Sequence, residues 1–141
     1  MSTAIRRALY GKLAGDSTLI ALLGTPANGY SKSIYYQLAP QSAGFPYVLF
    51  QKQAGVPVEA FGAPDAFNRD VWLVKAVDRS ASADVAESIQ DRVKTLLNDA
   101  SLTISGAELC DLRRVSDVEY PEQYDGVEYR HAGSLFRLVT T

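Results

Sequence analysis

Cys110 and His131 are the only cysteine and the only histidine of the chain, and they are its nearest approach to a nucleophile and a base. A reactive thiol needs a lowered pKa and a base oriented by a third group. Nothing in the sequence around either residue supplies these, and a free cysteine usually behaves as a small hydrophobe. His131-Ala132-Gly133-Ser134 brings a histidine close to a serine, but without the G-x-S-x-G elbow that exposes a catalytic hydroxyl. Gly11-Lys12 lacks the upstream glycine and downstream Ser/Thr of a phosphate loop. Five acids, Asp117, Glu119, Glu122, Asp125 and Glu128, fall between residues 116 and 128. Their spacing does not match a calcium loop. Paired carboxylates can exchange protons, but acids in a loop read as solvated charges. A single Cys and a single His exclude a CxxC redox centre, an internal disulfide framework and the usual multi-histidine metal sites. The expectation is no catalysis, no metal and no cofactor.

Two arginine doublets and the tyrosines remain. Arg113 and Arg114 are adjacent in a predicted strand and point to opposite faces. They do not form a patch within one chain, and Arg6-Arg7 is likewise a doublet rather than a basic run, so only an oligomer would cluster such arginines. There are 8 tyrosines, and Tyr120, Tyr124 and Tyr129 gather in or beside the acidic stretch. Tyrosine combines apolar area with a hydrogen-bonding tip and suits interfaces; local loop packing explains the cluster equally well.

The elements that must carry these residues follow from periodicity. Ile5, Leu9 and Leu13 make one face of an N-terminal helix capped by Ser2 or Thr3 and broken at Gly15. Asp16 or Ser17 caps a second, short helix through Leu19–Leu23, closed by Gly24. Residues 25–33 are turn chemistry. Strands are predicted at 34–38, at 47–52 and from Phe67 to Val77, with a loop at 40–46 and a long connection at 54–66. The apolar start of the 47–52 strand calls for cover on both faces. From Ser82 to about Asn98 the period becomes helical, with Ala86, Ile89, Val93, Leu96 and Leu97 inward and Asp91, Arg92 and Lys94 facing water. Ser82 suits the cap. Strands at 109–115 and 129–140 close the chain, separated by a second long loop at 116–128. Gly133 predicts a weakened last strand or a bulge there. The order is α-α-β-β-β-α-β-β.

A chain of 141 residues fits one domain, residues 1–141. It is 47% hydrophobic and 21% charged, which describes a folded rather than a disordered chain. A formal charge of −2 gives no general attraction to nucleic acid or anionic membrane. No run reaches the ~18 apolar residues of a membrane span, and no apolar segment follows the N-terminal Arg6-Arg7 as in a signal peptide. We therefore expect a single α+β domain in the cytoplasm, its mostly antiparallel sheet of about five strands packed against one long helix and the short N-terminal helix pair.

Several segments together carry a resemblance. The apolar helix pair leads to Ile34-Tyr35, Ala39-Pro40 and then Phe45-Pro46-Tyr47-Val48-Leu49-Phe50. An alternating strand contains Asp70-Val71-Trp72, and the end reads Tyr124-Asp125-Gly126-Val127-Glu128-Tyr129-Arg130 followed by Leu135-Phe136-Arg137-Leu138. Over nearly the whole chain this resembles the tail-completion, or tail-terminator, family of long-tailed bacteriophages and gene-transfer particles. The resemblance implies a structural virion protein, assembled in the host cytoplasm. It would form a ring, typically of six, at the head-proximal end of the tail tube, ending tube polymerisation and joining the tail to the head–tail connector or stopper protein. DNA would pass through the lumen without specific binding. Phe61 and Pro64 in one predicted loop, and Tyr120, Tyr124 and Tyr129 in and beside the other, are the expected anchors onto neighbours. Two alternatives stand beside it: another neck component, adaptor or stopper, and a small ferredoxin-like enzyme using Cys110, His131 or the loop acids.

Overall fold

The computed structural model describes residues 2–60 and 62–141. Its order is the expected one: α1 (Ser2–Ala14), α2 (Ser17–Leu22), β1 (Ile34–Tyr36), β2 (Tyr47–Ala60), β3 (Ala63–Asp78), α3 (Asp84–Leu97), β4 (Leu109–Tyr124) and β5 (Val127–Thr140). The five strands form one sheet in the order β1-β2-β3-β5-β4. Only β1 and β2 are parallel; the other pairs are antiparallel. The α+β class and the mostly antiparallel sheet are as expected.

The helices lie on one face of this sheet. Ile5, Leu9 and Leu13 of α1 are fully buried with Ala86, Ile89, Val93 and Leu97 of α3. They pack on Val48 and Phe50 of β2, Trp72, Val74 and Ala76 of β3, and Phe136 and Leu138 of β5. The stripes are set by 3.6- and 2-residue periods, and the burial of both holds the layers together. The second face of β2, which the sequence says must also be covered, meets loop rather than helix. The Tyr35 ring lies edge-on to Tyr30 and Tyr47, 5.2 and 5.6 Å between centroids, and its hydroxyl accepts a hydrogen bond from the Ala27 backbone N–H at 2.9 Å.

Asp16 caps α2, its carboxylate accepting from the Leu19 N–H at 2.8 Å. The same carboxylate takes two bonds from Arg92, at 2.8 and 2.7 Å. Arg92 is thus not a solvated charge: it ties α3 to the start of α2, and these bonds hold the Asp16 carboxyl below its ordinary pKa. Lys94 likewise reaches Asp117 of β4 at 3.0 Å. Helix α2 ends at Leu22, with Leu23 rather than Gly24 as its C-cap. Helix α3 begins at Asp84, two residues later than expected, with the Ser82 hydroxyl accepting from the Asp84 N–H at 3.2 Å.

Both predicted long loops are strands. Residues 54–66 extend β2 and β3 into a hairpin paired as far as Ala60↔Ala63. Pro57 is tolerated because β1 ends opposite Phe50, so beyond that point one side of β2 has no ladder to serve. Pro64 lies on β3 before β5 joins it at Asn68↔Thr140, and Pro121 lies on β4, the sheet's edge. Residues 116–128 are the facing ends of β4 and β5, joined by Asp125-Gly126 alone. Both turn residues have left-handed φ, 51° and 75°, the geometry that favours Asp-Gly in two-residue hairpins. The predicted bulge at Gly133 is absent: β5 runs in continuous register with β3 from Asn68↔Thr140 to Asp78↔Arg130. The register shifts lie instead on β2 and β4, between Lys52/Ala54, Val58/Ala60, Leu109/Asp111 and Arg114/Ser116.

Candidate functional site

The two hairpins run past the sheet that supports them. β2 and β3 pair only with each other from Val58↔Phe67 to Ala60↔Ala63. β4 and β5 do the same from Glu122↔Tyr129 to Tyr124↔Val127, because β3 stops at Asp78, opposite Arg130. Since β2 and β4 run in opposite directions, the two arms leave the sheet at opposite ends. Phe61 lies outside the described residues, and Pro64 is the second residue of β3.

The other three expected anchors share one face of the β4–β5 pair, Tyr124 and Tyr129 on the arm and Tyr120 just before it. Tyr120 is directly opposite His131 and Glu122 directly opposite Tyr129. The Tyr120 ring stacks on His131 at 4.4 Å and 10°, while Lys75 Nζ donates to its hydroxyl at 2.9 Å. That ammonium lies 5.4 Å from the ring centroid, at the hydroxyl end of the ring, so the contact is a hydrogen bond rather than a cation over the π face. Tyr129 packs on Phe45, 5.6 Å between centroids. Tyr124, beside the turn, is 73% exposed.

His131 Nε2 is 2.9 Å from Glu122 Oε1. Its Nδ1 is buried without a partner among the described residues. The neutral ring with Nε2–H donating to Glu122 fits this arrangement, because a proton on Nδ1 would find no acceptor. Burial lowers the His131 pKa; Glu122 opposes this and the Lys75 charge adds to it. The neutral form is therefore the one the fold favours. Its contribution is complete above the ordinary histidine value near 6.5 and is lost as pH falls below that value toward the folded one. Stability to urea should fall between pH 7.5 and 5.5, and His131→Gln should flatten that dependence. An equal pH dependence in the variant would show that His131 is not its source.

None of the enzyme-like groupings converges. Cys110 lies at the start of β4 and Tyr120, facing His131, ten residues further along it, about 33 Å at strand rise. Ser134 turns to the helix face, where its hydroxyl donates to Asp117 at 2.8 Å, whereas His131 faces the other way. Of the acids read as solvated, Asp117 bridges Lys94, Arg114 and Ser134. Burial pushes its carboxyl pKa up, and the hydrogen bonds from Lys94 and Ser134 bring it below the ordinary value. Arg113 and Arg114 do diverge, but pairing sets Arg113 directly opposite Arg137, with Asp111 accepting from both at 3.0 and 2.9 Å. That cross-strand pair is long-range and has no trace in the local sequence. Among the described residues no three His, Cys, Asp or Glu side chains group as metal ligands, and no helix is long and apolar enough to cross a membrane.

Residues 7–140 match the family described as tail completion protein gp17. The chain belongs to this family. Membership makes it a structural protein of a phage tail, as the resemblance implies. The fold has a relative in the solved structure titled "Virion of native gene transfer agent (GTA) particle", with a TM-score of 0.79 and 19% identity over 99% of this chain and 96% of that one. No curated protein matches in sequence. The arms had one local signal in the sequence, the Asp125-Gly126 pair between alternating residues.

Proposed function

We propose that this tail completion protein assembles into a ring, of six subunits, at the head-proximal end of the tail tube, where it ends tube polymerisation and joins the tail to the head–tail connector. The observation that carries this reading is the pair of β-hairpin arms that run past the neighbouring strands at opposite ends of one sheet. A ring subunit needs two different surfaces that meet head to tail and close by rotation. An arm at each end also offers one attachment toward the tube and one toward the neck. Phe61 and Pro64, with Tyr120, Tyr124 and Tyr129 of the β4–β5 hairpin, are the anchors in this reading. Tyr120 and Tyr129 also hold the second arm against the sheet through Lys75, His131 and Phe45. The role is non-catalytic. With −2 formal charge per subunit, the ring would let DNA pass through the lumen without holding it.

The test is tube growth. Tail-tube protein polymerising with the purified chain should give short tubes of fixed length, each ended by a ring whose mass corresponds to six copies. Tubes that grow as long with the chain as without it, while the chain binds the connector, would replace this reading with an adaptor or stopper role.

A further inference from the structure

The acidic arm has a complementary surface on the same chain that it does not reach. On the helix side of the sheet's other edge, an open groove of about 420 Å³ lies between α1 and β1. Phe50 and Tyr36 form its floor, Tyr10 and Tyr30 its sides, and Arg6 and Arg7 its rim. The Arg6 guanidinium sits 4.9 Å above the Tyr36 ring, so the rim charge is held in place by a cation–π contact. Among the described residues neither Arg6 nor Arg7 has an ion-pair partner, and neither does Asp125 at the tip of the arm. Residues 119–128 contain four acids and no base; Ser2–Ala14 contains three bases and no acid.

From this we infer that the β4–β5 arm of one subunit docks in the α1–β1 groove of the next, with Tyr124 entering between Tyr10 and Tyr30, and Asp125 meeting Arg6 and Arg7. The partner is a second copy of this chain, so the inference rests on the ring reading and specifies its subunit contact. Topology supports it. The arm and the groove are at the same end of the sheet, since β5 starts near where β1 and β2 start, but at opposite edges. Four strand spacings, about 19 Å, separate β4 from β1 within one subunit, so a rigid hairpin cannot fold back into its own groove. A side-by-side neighbour, by contrast, presents its groove to the arm, and the same contact repeats at every interface. Such a contact is heterologous and closes by rotation. The exposed aromatic on the arm and the aromatic groove give burial, and the opposite charges give orientation and salt dependence.

The experiment uses the full chain with Cys110→Ser, so that introduced cysteines are the only thiols. With Tyr124→Cys and Tyr30→Cys together, mild oxidation should give a ladder of covalent multimers ending at the ring. Either cysteine alone should give no covalent product. Arg6→Glu with Arg7→Glu should lower the assembled fraction at least tenfold at low salt. Adding Asp125→Lys to that chain should restore most of it, which a misfolded variant could not do. Covalent dimers from Tyr124→Cys alone would mean a two-fold contact and overturn the proposal. So would charge-reversed chains that assemble like the wild type, or intact rings that have lost tube binding, which would turn the arm toward the tube. A wild-type chain that stays monomeric both alone and on tubes defeats the ring reading itself. A wild-type ring without the cross-link defeats only this contact.

Discussion

Trp72→Ala should lower the unfolding free energy by about 3–5 kcal/mol, the range for emptying a buried tryptophan site. The side chain is fully buried at the centre of β3, with the Phe50 and Tyr36 rings 6.3 and 6.2 Å away between centroids. It pairs across the sheet with Lys52 and Phe136, so a void there would touch the α1, β2 and β5 contacts together. Against a total of about 5–15 kcal/mol for a domain, such a loss leaves a marginal fold. The midpoint of guanidinium unfolding measures it. Trp72→Phe is a sharper probe. The indole Nε1–H is buried without an acceptor among the described residues, and an unpaired buried donor costs about 1–3 kcal/mol. Phenylalanine removes that cost along with part of the ring, so its effect should be well under half that of alanine. An alanine variant with the wild-type midpoint would mean that Trp72 is not in the core.

Gly133→Val should be the most damaging single change to the sheet. A Cβ at Gly133 would lie 2.6 Å from both the Lys75 Cα and the Val74 carbonyl oxygen, and would also overlap the Lys75 Cβ. Two of these are backbone atoms of the central strand, which cannot rotate aside. The sheet must open between β3 and β5, and the buried bond from Gln90 Nε2 to the Gly133 carbonyl, 2.6 Å, shifts with it. The expected loss is at or above the upper end of the ~1–3 kcal/mol typical of overpacking. Gly133→Ala should be nearly as harmful, because the clash begins at Cβ. Gly11→Ala is the control: a Cβ at this α1 position meets nothing within 4 Å, and leaving glycine in a helix interior costs roughly 0.5–1 kcal/mol. Chemical unfolding of the three variants should therefore give opposite signs at the two positions. Equal, small effects would show that the close β3–β5 approach is not a constraint.

Gly133 also shows why the last strand is misread from sequence. A strand glycine weakens pairing when nothing approaches it, and is required when a neighbouring backbone does. The two cases differ only in what lies across the ladder, here Lys75. The stretches 54–66 and 116–128 are misread for a related reason. Pro57, Pro64 and Pro121 argue against strands only if both ladders beside them are in use; each sits where one ladder is missing. The Asp125-Gly126 turn was present as a local signal, but the surrounding acids look like loop composition until Lys94, Arg114 and His131 are seen to pair with them.

By itself the sequence determined the element order, the α+β class and the inward faces of the helices. These are local properties: Ile5, Leu9 and Leu13 share a face because of helical pitch, and so do Ala86, Ile89, Val93 and Leu97, whatever they later pack against. The motifs around Pro46-Tyr47-Val48 and Asp125-Gly126-Val127 likewise carried the family, which the match over residues 7–140 shows. The tertiary structure decided everything that depends on a partner distant in sequence. It made two arms of two apparent loops, drew Arg92 to Asp16 and Arg113 to Arg137, and set Cys110 far from His131. It also placed an acidic hairpin and a basic aromatic groove at opposite edges of one sheet. Strand pairing joins residues by register rather than by proximity along the chain, and no local period encodes which strand will be an edge.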